Sequence, residues 1–171
     1  MNIILRELVS NQLPDFKKEM QESFQKSYEA KYGPDSKLVL PECDIDSSLQ
    51  NKNAMAYEAV ADEQRVGGTI VNINRQTHHC NLDFLYVKVE YQNHNFGKTI
   101  WETLEKQYPD THIWETFTPY FDQRNIHFYV NLCGFHIVEF FNQRHPDPNI
   151  PENFIEEDGM FRFEKLIKNK M

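Results

Sequence analysis

Several features are scarce or missing in this chain, and each shortage removes a class of protein. No apolar run reaches membrane-spanning length, so no transmembrane helix is expected. Basic residues are few, with 18 Lys and Arg against 26 Asp and Glu and a net charge of −8. Such a chain is poorly suited to non-specific nucleic-acid binding, which needs a cationic surplus to displace counterions from phosphates. Neither a nucleic-acid nor a membrane partner is expected. The charge serves solubility, with a pull on a cationic substrate as the second use. Cysteines number three, Cys43, Cys80 and Cys133, at unrelated spacings. They read as free thiols in a reducing cytosol rather than as a disulfide frame. The N-terminus reaches charge at Arg6, too soon for a secretory signal, and a cytoplasmic location is expected. Internal repeats and low-complexity stretches are also missing.

What is present describes an ordered globular chain. Its 171 residues are 40% hydrophobic and 26% charged, with 13 Phe, 8 Tyr and 2 Trp. That length suits one domain over residues 1–171 with a real core.

Asn2–Val9 reads as a first strand. Leu13, Phe16, Met20, Phe24 and Tyr28 then recur at three- and four-residue steps, one face of an amphipathic helix opened by Pro14 and closed near Gly33-Pro34. The stretch Pro34–Asn53 is irregular and acidic, with Glu42, Asp44 and Asp46, and is a loop or lid candidate with a short helix around Asp46–Gln50. Three runs separated by short turns follow, Ala56–Ala61, Val66–Asn74 and Asn81–Val89, which predicts an antiparallel meander. Gly67-Gly68 inside a strand predicts a bulge or a close backbone approach. A helix over Asn95–Tyr108, a strand over Thr111–Phe117, a helix over Phe121–Leu132 and a strand over Phe135–Asn142 come next. A proline-rich linker, His145–Pro151, leads to a last strand at Gly159–Ile167. The order β-α-βββ-α-β-α-β-β is that of an α/β sheet with helices on its faces.

The segment richest in chemistry runs from Leu85 to Lys98: a strand, a polar turn and a helix start. A helix start carries unpaired N–H groups and the positive end of the dipole, which together hold phosphate without basic side chains. A diphosphate must come close to the backbone of that turn, which calls for residues that tolerate a left-handed conformation. Asn93, Asn95 and Gly97 meet that need.

Here the sequence resembles the GNAT family of N-acetyltransferases. The family signature is Arg or Gln, two residues, Gly, one residue, then Gly or Ala, and it stands here as Gln92-Asn93-His94-Asn95-Phe96-Gly97 after Leu85-Tyr86-Val87. Asn95 replaces the first glycine, and Asn is the best non-glycine residue for a left-handed backbone. A second element, Arg124-Asn125-Ile126-His127-Phe128-Tyr129 through Gly134-Phe135, is similar to the family's late helix.

The resemblance implies an α/β fold: a mixed, mostly antiparallel sheet flanked by helices, with a splayed strand pair between Asn81–Val89 and Thr111–Phe117 for acetyl-CoA. Acetyl-CoA is then the co-substrate, with no metal. Leu85, Tyr86 and Val87 are expected to pair with the pantetheine arm as an added strand would, and an N–H near Val87 to stabilise the thioester oxyanion. Gln92, Asn93, His94, Asn95, Phe96, Gly97 and Lys98 are expected to hold the diphosphate, and Asn125 to touch the pantetheine or to cap its helix. The amine attacks the thioester directly. Glu115 is the leading candidate for accepting its proton, against a plain solvated strand carboxylate, and His112 is a weaker one.

Tyr129 is the candidate general acid for the departing thiolate. It lies one residue further from the terminal Gly-Phe than the family pattern has it, which would put Val130 at that place, and one residue turns a helical side chain by roughly 100°. A Tyr packed in the core is the competing assignment. The acceptor is an amine on a small molecule or peptide, and monomer and homodimer both stay open. A GNAT-fold module that holds acyl-CoA without transferring it is the rival reading, and an unrelated α/β ligand sensor a third. His78-His79-Cys80 is set aside as a metal site, because neighbours on a strand point to opposite faces.

Overall fold

The computed structural model describes residues 2–34, 37–150 and 159–167. Its elements, in chain order, are β1 (Ile4–Glu7), α1 (Leu13–Tyr32), α2 (Glu42–Leu49), β2 (Ala54–Ala61), β3 (Gln64–Asn72), β4 (His79–Val87), α3 (Phe96–Gln107), β5 (Ile113–Pro119), α4 (Gln123–His127), β6 (His136–Phe141) and β7 (Met160–Leu166). Residues Phe128–Leu132 continue α4 as a π-turn.

One seven-stranded sheet organises the chain, in the order β1-β2-β3-β4-β5-β7-β6. The β2-β3-β4 meander is antiparallel, as the short turns predict. Every neighbouring pair is antiparallel except β4 and β5, which run parallel. The last strand does not take the edge: β7 inserts between β5 and β6.

Each face of the sheet buries its own core. On one face Phe16 and Met20 of α1 and Ile45 of α2 pack on Ile70 and Tyr86. On the other, Ile100, Trp101 and Leu104 of α3 pack on Leu82, Trp114 and Phe163. The periodic face of α1 is thus the buried one, with Phe16 and Met20 fully enclosed.

Gly67 and Gly68 are close approaches. A Cβ on Gly67 would lie 2.2 Å from the Tyr86 carbonyl oxygen, and one on Gly68 would lie 2.4 Å from the Phe16 ring. Only hydrogen fits between this strand and its neighbours.

Expectations for two segments need correction. The helix expected around Asp46–Gln50 starts earlier, at Glu42. Pro41 takes an extended backbone that starts it, and Glu42 and Asp44 occupy its first turn, where carboxylates oppose the positive dipole end. The acidic residues therefore open a helix rather than line a loop, and Lys17 of α1 pins Glu42 and Asp46. The late helix starts at Gln123 rather than Phe121, and its second half, Phe128–Leu132, is a π-turn that ends where the sequence predicts. Asp35, Ser36 and Pro151, within the loop and linker read from sequence, lie outside the described residues.

Candidate functional site

The parallel pair opens like a fork. β4 and β5 are in register at His79↔Ile113, Cys80↔Trp114 and Asn81↔Glu115 and at no later position. The Thr116 hydroxyl then donates to the Leu82 carbonyl at 2.8 Å. Beyond that bond the strands separate. Asp83 has no partner on β3, where the register jumps from Ile70↔Phe84 to Val71↔Leu82, and this bulge turns β4 away from β5.

The backbone alternation of β4 decides which groups face the gap. The Lys88 N–H donates to the Val66 carbonyl of the neighbouring chain segment, and the Tyr86 oxygen lies over Gly67. Alternate residues point the other way, so the N–H and C=O groups of Leu85 and the N–H of Val87 line the free edge, while the Val87 carbonyl on that edge accepts from Gln92 Nε2 at 3.2 Å. Tyr86 is a correction here, because its backbone serves β3. Its ring packs edge-on against Phe16, and its hydroxyl donates to Glu19 Oε2 at 2.8 Å.

A cavity of about 360 Å³ sits at the open end of the fork. That size lies within the usual range for ligand sites. Gln92, Asn93, Asn95, Phe96, Gly97 and Lys98 face it, with Leu85, Tyr86 and Val87 from β4 and Asn125 from α4. His94 is exposed and does not line it.

The turn has the backbone that its asparagines suggested. Asn93 has φ 69° and Asn95 φ 62°, both left-handed. Asn95 is the N-cap residue of α3, and its side chain caps none of the first-turn N–H groups. Those donors therefore stay available to an anion in the cavity. Gly97 keeps the wall thin, since a Cβ there would meet the Phe128 ring at 3.2 Å.

The candidate catalytic residues fall in different places. Tyr129 lies in the core with its ring against Phe135 and Phe163, and it is not a cavity-lining residue. Burial pushes its hydroxyl pKa well up, which keeps it protonated, while the Thr116 hydroxyl pulls the other way. Thr116 is the residue that closes the fork, so the Tyr129 hydroxyl stands at its vertex. The extra residue before Gly134-Phe135 is taken up by the π-turn, where the Cys133 N–H donates to the Phe128 carbonyl at 3.0 Å.

Glu115 stands on the closed part of the fork and does not line the cavity. Its Oε2 accepts from Arg162 at 3.3 Å and is 3.1 Å from His79 Nε2. His112 is exposed just before β5, stacked on His78 with ring centroids 4.5 Å apart. That is the end of the sheet away from the cavity.

A second carboxylate stands at the vertex of the fork and, like Glu115, does not itself line the cavity. Asp83 is the first β4 residue beyond the vertex, half-buried, with the Ser48 hydroxyl donating to its Oδ2 at 2.6 Å. Among the described residues no cation pairs with it. Burial raises its pKa above the usual carboxylate value, and the Ser48 bond opposes the rise. Sequence reasoning missed Asp83 because it sits in a bulge, which the alternating pattern does not reveal. Ser23 and Phe24 of α1 and Arg124, His127 and Phe128 of the late helix were missed as cavity walls for a simpler reason. They come from elements distant in sequence.

The wider comparisons agree with this geometry. A family model described as the acetyltransferase (GNAT) family matches residues 14–135. The chain is 41% identical to the uncharacterized protein YrkN of Bacillus subtilis (strain 168), over 98% of this chain and 95% of that one. Among solved structures, it resembles the PaiA N-acetyltransferase of Thermoplasma acidophilum in complex with coenzyme A, with TM-score 0.67, 19% identity, and 98% and 100% of the two chains covered. It also resembles the spermidine N-acetyltransferase of Vibrio cholerae in complex with CoA and spermine, with TM-score 0.66, 15% identity, and 96% and 95% covered. The forked sheet, the left-handed turn at the start of α3 and the match over most of its length together mean that this chain belongs to the GNAT family of acetyltransferases.

Proposed function

We propose that the protein transfers an acetyl group from acetyl-CoA to a primary amine of a small molecule or peptide. One observation carries this reading: the fork between β4 and β5 opens onto a cavity whose far wall is the unpaired start of α3. The free edge at Leu85 and Val87 offers the pantetheine amides a strand to pair with. The backbone N–H groups of the Asn93–Lys98 turn face the diphosphate. The Val87 N–H stabilises negative charge developing on the thioester oxygen. Tyr129, kept protonated by burial, gives a proton to the departing thiolate at the vertex. Asp83 takes the proton that the amine must lose, and Glu115 is the competing assignment for that step.

Two features temper the rival reading of a silent acyl-CoA module. Asn95 adopts the conformation that a glycine would supply, and the π-turn absorbs the additional residue after Tyr129. Titration calorimetry with CoA tests the donor. Release of free thiol from acetyl-CoA in the presence of a panel of amines tests the transfer. CoA binding without thiol release for any amine favours the silent module, and no CoA binding sinks both readings.

A further inference from the structure

Among the described residues no carboxylate forms an ion pair with the cavity-lining Arg124, although Asp122 two residues earlier lies close enough to feel its charge. The other lysine or arginine on that wall, Lys98, is 3.8 Å from Glu102 on its own helix. Arg124 instead donates through one terminal nitrogen to Gln92 Oε1 at 2.9 Å and through the other to Asn93 Oδ1 at 3.2 Å. Both acceptors are neutral amides, and both belong to the turn that faces the diphosphate.

The arrangement is built from behind. Gln92 Nε2 donates to the Val87 carbonyl and to Ser23 Oγ, each at 3.2 Å. Those two bonds fix which end of the Gln92 amide is the oxygen and aim it at the guanidinium. Arg124 thereby bridges from α4 to the turn across the mouth of the cavity. A guanidinium has five N–H donors in a planar fork. Bonds to charged acceptors are roughly twice as strong as bonds to neutral ones. An anion at the turn outcompetes two amide oxygens for such a donor. The need for a local cation is real, because a chain of net charge −8 repels an anionic donor at long range.

We propose that Arg124 leaves Gln92 and Asn93 to bind the diphosphate of the acyl donor. The late helix would then add a positive charge to that of Lys98 at the turn. This rests on the acetyl-CoA reading above. It makes Arg124 the residue that selects nucleotide-bearing thioesters.

Calorimetry on the full chain tests it, with CoA and dephospho-CoA as ligands at two salt concentrations. Wild type, Arg124→Gln and Arg124→Lys are compared. The expected result is a roughly ten- to a hundredfold weaker Kd for Arg124→Gln with both ligands, the size of one or two charged hydrogen bonds. Its salt dependence flattens as well. Arg124→Lys keeps the charge without the fork and falls between. Unchanged affinity in both variants overturns the proposal, and so does a loss confined to CoA, which would assign the guanidinium to the 3′-phosphate. Should Arg124→Gln not fold, Arg124→Lys decides alone: an intermediate loss with both ligands supports the assignment, and no loss overturns it. Failure of wild type to bind either ligand refutes the acyl-CoA reading itself, a result distinct from an insensitive variant.

Discussion

The Thr116 hydroxyl donates to the Leu82 carbonyl at 2.8 Å, and among the described residues this is the last hydrogen bond joining β4 to β5. It sets the depth of the fork. Thr116 is buried and interacts electrostatically with the Tyr129 hydroxyl, so one side chain ties the sheet opening to the candidate proton donor. Thr116→Val keeps the shape and leaves the Leu82 carbonyl unpaired. The expected cost is about 1–3 kcal/mol in urea unfolding. Wherever turnover is measurable, kcat is expected to fall more than the affinity for CoA, because the Asn93–Lys98 turn, the proposed diphosphate site, is untouched.

Asn95 stands where the family pattern has glycine, with φ 62°. A left-handed backbone costs an ordinary residue about 1–2 kcal/mol. Asn95→Gly is therefore expected to keep stability and CoA affinity. Asn95→Ala is expected to lower the melting temperature and to weaken CoA binding together, since the strain is relieved by moving the turn. Thermal unfolding with and without CoA checks both. Equal behaviour of the two variants would mean that the left-handed backbone is not what the site requires.

These cases show which parts of the molecule the sequence made legible. The meander, the α1 face and the left-handed turn were readable because each is local: periodicity, short turns and asparagines act within a few residues. The depth of the fork was not readable. It depends on Asp83 having no partner on β3 and on a bond from Thr116, 34 residues from Leu82. The spacing of Tyr129 from Gly134 looked like a slipped register and is instead one π-turn, a backbone event that residue types do not announce. Glu115 drew attention for its strand, but Arg162 from β7 holds it, and the insertion of β7 beside β5 is not written in any local pattern.

Asp83 and Glu115 are separated by substitution. Asp83→Asn keeps an oxygen for the Ser48 hydroxyl and removes the proposed proton acceptor, so kcat/KM is expected to fall about a hundredfold or more, the usual worth of a general base. Glu115→Gln is expected to act mainly on stability by unpairing Arg162. A large loss of turnover in Glu115→Gln with Asp83→Asn near wild type reverses the assignment. Stability against pH provides a second readout. Because burial raises the Asp83 pKa above 3.8, the folded chain binds that proton more tightly than the unfolded one. Its favourable contribution is complete below 3.8 and is lost as pH rises through the folded value. Asp83→Asn is therefore expected to be at least as stable as wild type at pH 7. That advantage should shrink on acidification through the same window.

Gly68 tests how tightly the site is braced from behind. A Cβ there would lie 2.4 Å from Phe16 Cε2 and 2.9 Å from both the Tyr57 carbonyl oxygen and Tyr86 Cε1. Tyr57 O belongs to the backbone of β2 and cannot swing aside, so α1 and the Tyr86 ring must yield. Gly68→Ala is expected to cost about 1–3 kcal/mol, the usual range for overpacking. The displaced Tyr86 belongs to the strand segment whose neighbours, Leu85 and Val87, line the free edge. CoA binding should therefore weaken along with the fall in melting temperature. A variant that loses stability yet binds CoA as tightly as wild type would mean that the edge of β4 is held by β3 alone, with α1 contributing nothing to the shape of the fork.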